Sequence, residues 1–497
     1  MNVPAQVKRA VGIEANFLCD NSSYLLGIDA KGKPERARKC FAVCREMHLL
    51  MLEGVDSLAA RAVAAFFQTW KPETAWDWSA LNEHLEDAIS GGNIVFMVNG
   101  HYAHVDAAIR EAWNRNYMNA SEGEIMCCLV TGERGPIARL HPSIRGVAGG
   151  QPSGTSLVSF NAPAYESFGR DGGQGSNAPV SQRAAFAYGA ALNRLISEQD
   201  HRMRLGDSTV VFWAEDAEKA YADFFTSMLG NGNVLKQSDL QNAMQNLAEG
   251  KPVIWGDIPL RPENRFHILG LAPNAARLSV RFYLQDSFGV FAERLQAHFK
   301  RMEIVRPAYD QRPALSIWEM LNETVNQKSR DKSPSPQLAG ELMRAILMGT
   351  PYPATLLSQT ELRIRAEREI TRGRAAILKA YLLRNGCTKG SYSDYEEALT
   401  VELNEATNYP AYLLGRLFSV LEGLQQAANA GINTTIRDRY FNSACATPAV
   451  VFPQLIKLAQ AHLKKLNAGG RKYFETQIAE IAGRMNQAYP VLSLIHI

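Results

Sequence analysis

The stretch of residues 167–181 carries the residue types best suited to binding an anion. It reads SFGRDGGQGSNAPVS, with four glycines and one proline in fifteen residues. Such a segment cannot form the interior of a helix or a central strand, and its bare backbone amides can approach a ligand closely. A helix predicted over residues 180–197 follows it, and a helix N-terminus beside such a loop favours an anion such as phosphate. We therefore expect this loop to bind either a nucleotide or the backbone of a nucleic acid.

The nucleotide-binding patterns in this loop are incomplete. Residues 173–178 (GQGSNA) fit the dinucleotide pattern G-x-G-x-x-A, but the nearest predicted strand, 157–160, does not run into the first glycine. The sequence G-x-x-x-x-G-K-[ST] of a P-loop does not occur. These departures disfavour a nucleotide, and we expect no cofactor.

Patterns that would indicate a metal site or a catalytic site are weak. His101 and His104 form a His-x-x-His pair without acidic or cysteine ligands nearby in the sequence. Three carboxylates that bracket a predicted strand are interpreted as caps and turns, namely Asp207, Glu215 and Asp216. We therefore expect no metal site and no catalytic residues.

The overall composition describes a globular protein with a small net charge. The chain has 497 residues, of which 46% are hydrophobic and 21% are charged, and its formal net charge is +3. Because this charge is small, any basic surface that binds nucleic acid must be local. The N-terminus lacks the apolar core of a signal peptide, and no apolar run reaches the ~18 residues of a membrane span. With seven scattered cysteines, the sequence predicts a reduced, cytoplasmic protein without a membrane segment.

The secondary-structure pattern changes near residue 330. Before it, apolar strands such as 209–214 and a hairpin over 266–284 alternate with helices, which predicts an α+β domain over residues 1–325. Residues 326–336 (NQKSRDKSPSP) are polar and broken by prolines, as in a linker. Residues 337–497 predict an all-α helical bundle. Its predicted helices are 337–348, 359–385, 397–430, 448–467 and 470–488.

Two stretches concentrate positive charge. The first 45 residues contain eight Lys or Arg against four Asp or Glu, and the predicted helix 359–385 contains seven against three. On one continuous helix, four of these cations would lie near one face, at spacings of three, four and seven: Arg365, Arg368, Arg372 and Lys379. That face is either a solvated surface or a ridge that follows nucleic-acid phosphates.

Several stretches, in this order, resemble the large subunit of the type I-C CRISPR Cascade surveillance complex. In the first half they include 13–21 (IEANFLCDN), 177–181 (NAPVS), 209–214 (TVVFWA) and 266–274 (FHILGLAPN). In the helical half they include 346–349 (ILMG), 363–365 (RIR) and 374–379 (RAAILK). The resemblance extends from the first residues to about residue 480, and it depends on the order and spacing of these stretches rather than on one motif.

The resemblance implies a protein without enzymatic activity that binds nucleic acid. The family's large subunit sits at one end of a crRNA-guided complex, reads the protospacer-adjacent motif in duplex DNA and helps to open the duplex. Pairing with the guide RNA then reads the target. The implied partners are the crRNA, the target double-stranded DNA and its displaced strand, the backbone, crRNA-processing and small subunits, and a separate helicase-nuclease.

The resemblance also suggests roles for the candidate residues. We expect Gln174, Ser176 and Asn177 to contact the duplex near the motif, because polar side chains of this kind bind both base edges and phosphates. Four N-terminal residues would contact DNA or the 5′ end of the crRNA, namely Lys8, Arg9, Asn16 and Asn21. The cations Arg365, Arg368, Arg372 and Lys379 would follow the phosphates of the displaced strand. A local alternative stays open for Asn177, whose side chain could instead bond its own backbone at the start of the next helix.

Further expectations concern the ends of the chain and an internal start. Compared with the family, we expect the sequence to lack some tens of residues at the N-terminus and a continuation at the C-terminus. The helical part resembles the family's small subunit, which is also made separately from an internal start. Met343 and Met348 are the nearest candidate starts, and a start further upstream is equally open.

Two other classes of function stay open. The glycine-rich loop could serve a nucleotide-dependent or metal-dependent hydrolase, which an assay for turnover would reveal. The chain could instead be a scaffold that binds only protein partners.

Overall fold

A computed structural model describes most of the chain. It describes residues 3, 4, 6, 12–29, 33–119, 124–170, 173–216, 219–229, 237–308, 310, 315–330, 332–386, 392–485 and 489. Contacts between residues group the chain into two compact units. The first comprises residues 1–143 and 156–191, and the second comprises residues 144–155 and 192–497.

The first unit combines helices with short antiparallel ladders. Its strands are β1 (Cys19–Asp20), β2 (Ile94–Val95), β3 (Met97–Val98), β4 (His101–Tyr102), β5 (Ile125–Cys127) and β6 (Arg134–Pro136), paired as β1–β2, β3–β4 and β5–β6. Its helices are α1 (Ser22–Leu25), α2 (Pro34–Leu52), α3 (Leu58–Thr69), α4 (Ser79–Glu83), α5 (Leu85–Ile89) and α6 (Ala107–Asn119). Helix α7 (Gln182–Ser197) follows the glycine-rich loop, as the sequence predicts.

A buried histidine lies at the centre of the first unit's core. The ring of His48 packs against Phe17 and Phe67, with centroids 5.0 and 4.4 Å away. His48 Nε2 accepts a hydrogen bond from the Leu18 N–H at 2.9 Å, and Nδ1 donates to the Cys44 carbonyl at 2.8 Å. Burial lowers the pKa of His48 to about 4, so the ring is neutral at pH 7. The neutral ring thereby fixes Leu18, which has a left-handed backbone with φ of 59°.

A six-stranded sheet forms the centre of the second unit. The strands of this part of the chain are β7 (Ser143–Ile144), β8 (Thr155–Ser156), β9 (Arg202–Leu205), β10 (Ser208–Ala214), β11 (Val253–Trp255), β12 (Ile258–Leu260), β13 (Arg265–Asn274) and β14 (Arg277–Ser287). The six strands lie in the order β7-β8-β14-β13-β10-β9, and β11 pairs with β12 separately. Strands β9, β10, β13 and β14 pair antiparallel, and the predicted hairpin is confirmed as β13–β14.

The helices that follow place apolar residues in one core with this sheet. They are α8 (Lys219–Met228), α9 (Gln237–Ala248), α10 (Phe288–Met302), α11 (Ile317–Glu323), α12 (Pro336–Met348), α13 (Ala354–Glu367) and α14 (Arg372–Asn385). Phe212 and Phe266 of the sheet share one buried cluster with residues such as Phe291 of α10 and Ile346 of α12. This cluster is the largest apolar core of the described residues, and it spans positions 205–380.

Helix α15 (Tyr392–Ala398) contacts α14. The helices after it form a second core of their own. They are α16 (Pro410–Ala428), α17 (Ile436–Ala446), α18 (Pro448–Leu463) and α19 (Ala468–Gly483). Leu417 of α16, Leu455 of α18 and Ile481 of α19 are buried against one another in this cluster. None of the helices in the described part of the chain combines the length and the hydropathy that a bilayer span requires.

The prediction of one continuous helix over residues 359–385 is wrong, because the structure has two helices there. Helix α13 ends at Glu367, and Arg368 caps it with a left-handed backbone of φ 56°. Helix α14 begins at Arg372 after Thr371, whose Oγ1 accepts a hydrogen bond from the Arg374 N–H at 3.1 Å. The helix predicted over residues 397–430 is also wrong in its first part, because α16 begins only at Pro410. That proline suits a first helical position, where its missing N–H removes no hydrogen bond.

The segment 326–336, predicted to be a linker, joins two helices that share one core. Ile317 and Leu321 of α11 and Leu338 and Leu342 of α12 are all buried in the same cluster. The contact-defined units divide instead near residues 143–156 and 191. The predicted domains 1–325 and 337–497 therefore stay a prediction. The fold class is confirmed as a mixed α+β region followed by a predominantly helical C-terminal region.

Candidate nucleic-acid interface

The C-terminal end of the glycine-rich loop is fixed by backbone hydrogen bonds to the region of strands β5 and β6. Ser181 forms an antiparallel bridge with Ile137. The Ala138 N–H donates to the Val180 carbonyl at 2.8 Å, and the Leu129 N–H donates to the Pro179 carbonyl at 2.9 Å. These bonds hold the loop beside residues that are 42 to 50 positions away in the sequence.

Gly175 lies directly against another backbone segment. A Cβ at this position would collide with the carbonyl oxygen of Ala138, which is a rigid backbone atom. Residues 174–177 form one turn of 3₁₀-helix, and Gln174 has a left-handed backbone with φ of 37°. A strained non-glycine backbone of this kind costs about 1–3 kcal/mol and needs support from its surroundings. From the sequence, the backbone of this loop was expected to approach a ligand closely. At Gly175 the close neighbour is instead the protein's own backbone at Ala138.

Asn177 supplies support from within the loop. Its Oδ1 accepts a hydrogen bond from the Ser167 N–H at 2.6 Å, and its Nδ2 donates to the Gln174 carbonyl at 3.1 Å. The side chain therefore joins the start of the loop to its 3₁₀ turn. These partners lie within the loop, whereas the alternative from the sequence placed the bonding of Asn177 at the start of the next helix. Asn177 therefore has a positioning role whatever the loop binds.

Two exposed arginines border the 3₁₀ turn. Arg170 Nη1 donates to the Ser176 carbonyl at 2.8 Å, and Arg139 Nη1 donates to Gln174 Oε1 at 3.3 Å. The side chain of Ser176 itself is buried, with 4% of the residue exposed. The accessible polar groups here are therefore the amide of Gln174 and the two guanidinium groups, a combination that suits phosphate oxygens and base edges.

Arg139 was missed by sequence reasoning, because no local motif marks it. It comes near the loop through the bridge between Ile137 and Ser181, which the sequence does not reveal.

The beginning of helix α7 is bonded to the buried thiol of Cys128. The Ser181 N–H donates to Cys128 Sγ at 3.2 Å, and Ser181 Oγ accepts from the Ala184 N–H at 3.2 Å. Burial would raise the pKa of Cys128, but hydrogen bonds from Ser181 and Thr131 outweigh it and lower the pKa to about 6. The sequence identified Cys128 only as one of seven scattered cysteines, so this connection was also missed.

The structure describes two of the four N-terminal candidates, Asn16 and Asn21. Lys8 and Arg9 lie outside the described residues. Asn16 is buried, and its N–H donates to Asp20 Oδ2 at 2.9 Å. Asn21 caps helix α1 by accepting a hydrogen bond from the Ser23 N–H at 3.1 Å. Both asparagines thus have local structural roles, and their contact with DNA or crRNA stays a prediction.

The break between α13 and α14 separates the four predicted cations into two pairs. Arg365 and Arg368 have half-exposed side chains and form long ion pairs with Glu361 at 3.9 Å and Asp438 at 3.7 Å. The expectation that these two and the next pair share one helix face was wrong, because it required a continuous helix.

The second pair of cations is buried. The side chain of Arg372 is 8% exposed and pairs with Asp310 at 2.9 Å. Lys379 is 6% exposed and donates from Nζ to the Glu303 carbonyl. Burial lowers the pKa of Lys379, although the nearby Glu303 acts in the opposite direction. Both side chains stabilise the interior, so Arg365 and Arg368 are the better candidates for contact with a phosphate backbone.

Within the described ranges, no group of three or more His, Cys, Asp or Glu side chains is arranged to hold a metal ion. In the His-x-x-His pair, His101 lies on β4 with its side chain exposed, whereas His104 is buried. The pair therefore does not present two imidazoles to a shared ligand.

Comparison with known proteins identifies the family of the chain. A search of curated proteins finds no match. The family model described as CRISPR-associated protein (Cas_Csd1) matches residues 1–495, which is nearly the whole sequence. The chain therefore belongs to the CRISPR-associated Cas_Csd1 family.

Proposed function

We propose that this chain is the DNA-binding large subunit of a crRNA-guided type I-C interference complex, and that it acts in the cytoplasm by binding rather than by catalysis. The observation that carries this proposal is the match of one CRISPR-associated family over residues 1–495. It is supported by the arginine-bordered loop around Gln174.

In this proposal the loop reads the protospacer-adjacent motif in the duplex. Gln174 presents an amide beside two guanidinium groups, and amide and guanidinium groups bind base edges in pairs of hydrogen bonds. Asn177 holds the turn in place. The side chain of Ser176 is buried, and its N–H and carbonyl are bonded to Gly173 and Arg170, so Ser176 shapes the turn. Fixing the loop before binding reduces the entropy lost on binding.

Opening of the duplex then exposes a displaced strand, which Arg365 and Arg368 would contact. Their partners Glu361 and Asp438 are 3.9 and 3.7 Å away. Half-exposed ion pairs of this length contribute little to stability, so phosphates can compete for the two guanidinium groups. The proposed partners are the crRNA, the target DNA, the backbone, crRNA-processing and small subunits, and the helicase-nuclease that the bound complex recruits.

Co-purification tests this proposal directly. The chain would be expressed with the neighbouring genes of its locus and isolated through a tag. We expect it to carry one discrete crRNA and stoichiometric backbone subunits, and to retard duplex DNA that contains the matching target and motif. Isolation of the chain without RNA and without other subunits would contradict the proposal.

A second assay addresses the hydrolase alternative. The purified chain would be incubated with nucleoside triphosphates or with DNA and divalent cations. We expect no turnover above that of a heat-inactivated sample. Hydrolysis that Gln174→Ala abolishes would favour an enzyme instead.

A further inference from the structure

The face of the six-stranded sheet opposite the large core carries a row of aromatic rings. Antiparallel residues that lie directly opposite each other point to the same face, and Phe212 and Phe282 point into the core. Trp213 lies opposite His267 on the other face, and Leu269 lies opposite Tyr283. We call Trp213, His267 and Tyr283 the aromatic row.

The three rings of the aromatic row are nearly parallel. The centroids of Trp213 and His267 are 5.0 Å apart, with planes 8° from parallel. Those of His267 and Tyr283 are 6.1 Å apart, with planes 20° from parallel. Because neighbouring rings of the row lie against one another, a further flat ring would stack at the exposed end of the row, which is Tyr283.

A chain of polar contacts fixes the exposed end of the aromatic row. Tyr283 is 51% exposed, and its hydroxyl lies 2.8 Å from His267 Nδ1. His267 Nε2 lies 3.4 Å from a carboxylate oxygen of Glu215. With Nε2–H directed to Glu215, Nδ1 accepts the hydrogen bond of the phenol. Tyr283 is thus held in one orientation before any ligand arrives, although half of it faces water.

Exposure differs along this face of the sheet. Thr209 and Val211 lie on it, but they are 4% and 0% exposed. The Ala148 N–H donates to Thr209 Oγ1 at 2.9 Å, so Ala148 lies over Thr209. Tyr283, by contrast, is accessible to a ligand.

An arginine accompanies the aromatic row on the same face. Arg265 lies on β13 two positions from His267, and it is exposed. Arg265 lies 3.9 Å from Glu215, which is too long for a strong ion pair. An exposed aromatic ring with a guanidinium group on the same face has the chemistry that binds an unpaired base and its phosphate.

We propose that the aromatic row binds an unpaired nucleobase of single-stranded RNA or DNA, by stacking on Tyr283, with Arg265 directed to an adjoining phosphate. That the partner is a nucleic acid rests on the proposed function. The residues of this surface are not those of the glycine-rich loop. A base in an intact duplex cannot use this surface, because its faces are covered by its neighbours. The partner is therefore a single strand.

Binding of short oligonucleotides to the purified full-length chain tests this inference. Fluorescence anisotropy would be measured with labelled single-stranded RNA and DNA of mixed sequence, and the tighter of the two identifies the natural strand. Tyr283→Ala should weaken binding roughly 5- to 100-fold, the range for removal of one base–aromatic stack. Tyr283→Phe keeps the ring and should bind nearly as wild type. Tyr473→Ala removes a tyrosine of similar exposure, 61%, from helix α19 and should have little effect.

A measurement on the unaltered protein keeps the test independent of folding. Oligonucleotides containing 5-iodouridine or 5-iododeoxyuridine would be photocrosslinked and the modified peptides mapped by mass spectrometry. Crosslinks at Tyr283 would support the inference. Crosslinks only elsewhere, or equal affinities for wild type and Tyr283→Ala, would overturn it. If the complex still assembles on crRNA in that case, the proposed function stands without this surface.

Discussion

Replacing Asn177 by alanine separates positioning of the glycine-rich loop from general stability. The substitution removes the hydrogen bonds to Ser167 at 2.6 Å and to Gln174 at 3.1 Å. A typical hydrogen bond contributes about 0.5–1.5 kcal/mol net, so the loop loses about 1–3 kcal/mol of local stability. The left-handed backbone of Gln174 then lacks part of its support.

The loss should appear mainly in duplex binding. If the loop must be reordered at the moment of binding, affinity for duplex DNA with the correct motif falls by roughly 5- to 100-fold, which corresponds to about 1–3 kcal/mol. Binding to a target whose strands are already separated at the motif should fall much less. Both affinities would be measured by gel retardation or anisotropy with the assembled complex.

A matched control exists in the helical region. Asn404 Oδ1 accepts hydrogen bonds from the Ala406 and Thr407 N–H groups at 3.0 and 3.1 Å, and its Nδ2 donates to the Glu397 carbonyl at 2.7 Å. Asn404→Ala should destabilise the fold comparably in urea unfolding and leave motif-dependent binding unchanged. Equal losses on duplex and pre-opened target for Asn177→Ala would refute the role of the loop in reading the motif.

Other substitutions test further features of the structure. Arg365→Gln with Arg368→Gln should lower the slope of log affinity against log salt by up to about 2, because each phosphate contact contributes roughly one unit; an unchanged slope in anisotropy titrations would show a solvated surface. Arg372→Gln should instead destabilise the fold by up to about 3–5 kcal/mol in urea unfolding, since it removes the positive charge that pairs with the buried carboxylate of Asp310; a loss under 1 kcal/mol would argue against a stabilising role of that pair. Gly175→Ala should lower Tm by several degrees, because its Cβ meets the carbonyl oxygen behind it; a Tm equal to wild type would contradict the packing. His48 has a pKa of about 4 in the fold, against about 6.5 in the unfolded chain. Protonation at low pH therefore favours the unfolded chain, and the free energy of unfolding should fall by about 3 kcal/mol between pH 6.5 and pH 4. His48→Gln should lack this part of the pH dependence in urea unfolding, and parallel curves for both proteins would contradict the prediction.

Strands β10, β13 and β14 of the sheet were predictable because their pattern is local. The apolar segment 266–271 and the alternation of apolar and polar residues over 278–284 mark the two strands of a hairpin, and the apolar run at 209–214 marks the buried strand next to it. The cores also follow from apolar spacing, because burial of apolar area is the dominant favourable term in folding.

The break at Arg368 could not be predicted in the same way. A non-glycine residue with a left-handed backbone carries no composition signal, and the arginine-rich sequence on both sides favours helix. The burial of Arg372 depends on Asp310, which is 62 positions away and invisible to spacing. Likewise the partners of the glycine-rich loop, Cys128 and Arg139, are brought to it only by tertiary contacts. Local patterns therefore predicted where the loop is, but not what holds it or which cations are free to bind.

The shared core of α11 and α12 bears on how a shorter translation product would behave. If synthesis began at Met343, the product would keep the second core around Leu417 and Leu455. It would also expose Ile346 and Ile377, which are completely buried in the full chain against residues that the product lacks. Each such side chain favours burial by about 1.5–3 kcal/mol. A newly made short subunit would therefore expose an apolar face that favours aggregation. Its survival in the cell would depend on how soon it binds an assembly that covers this face.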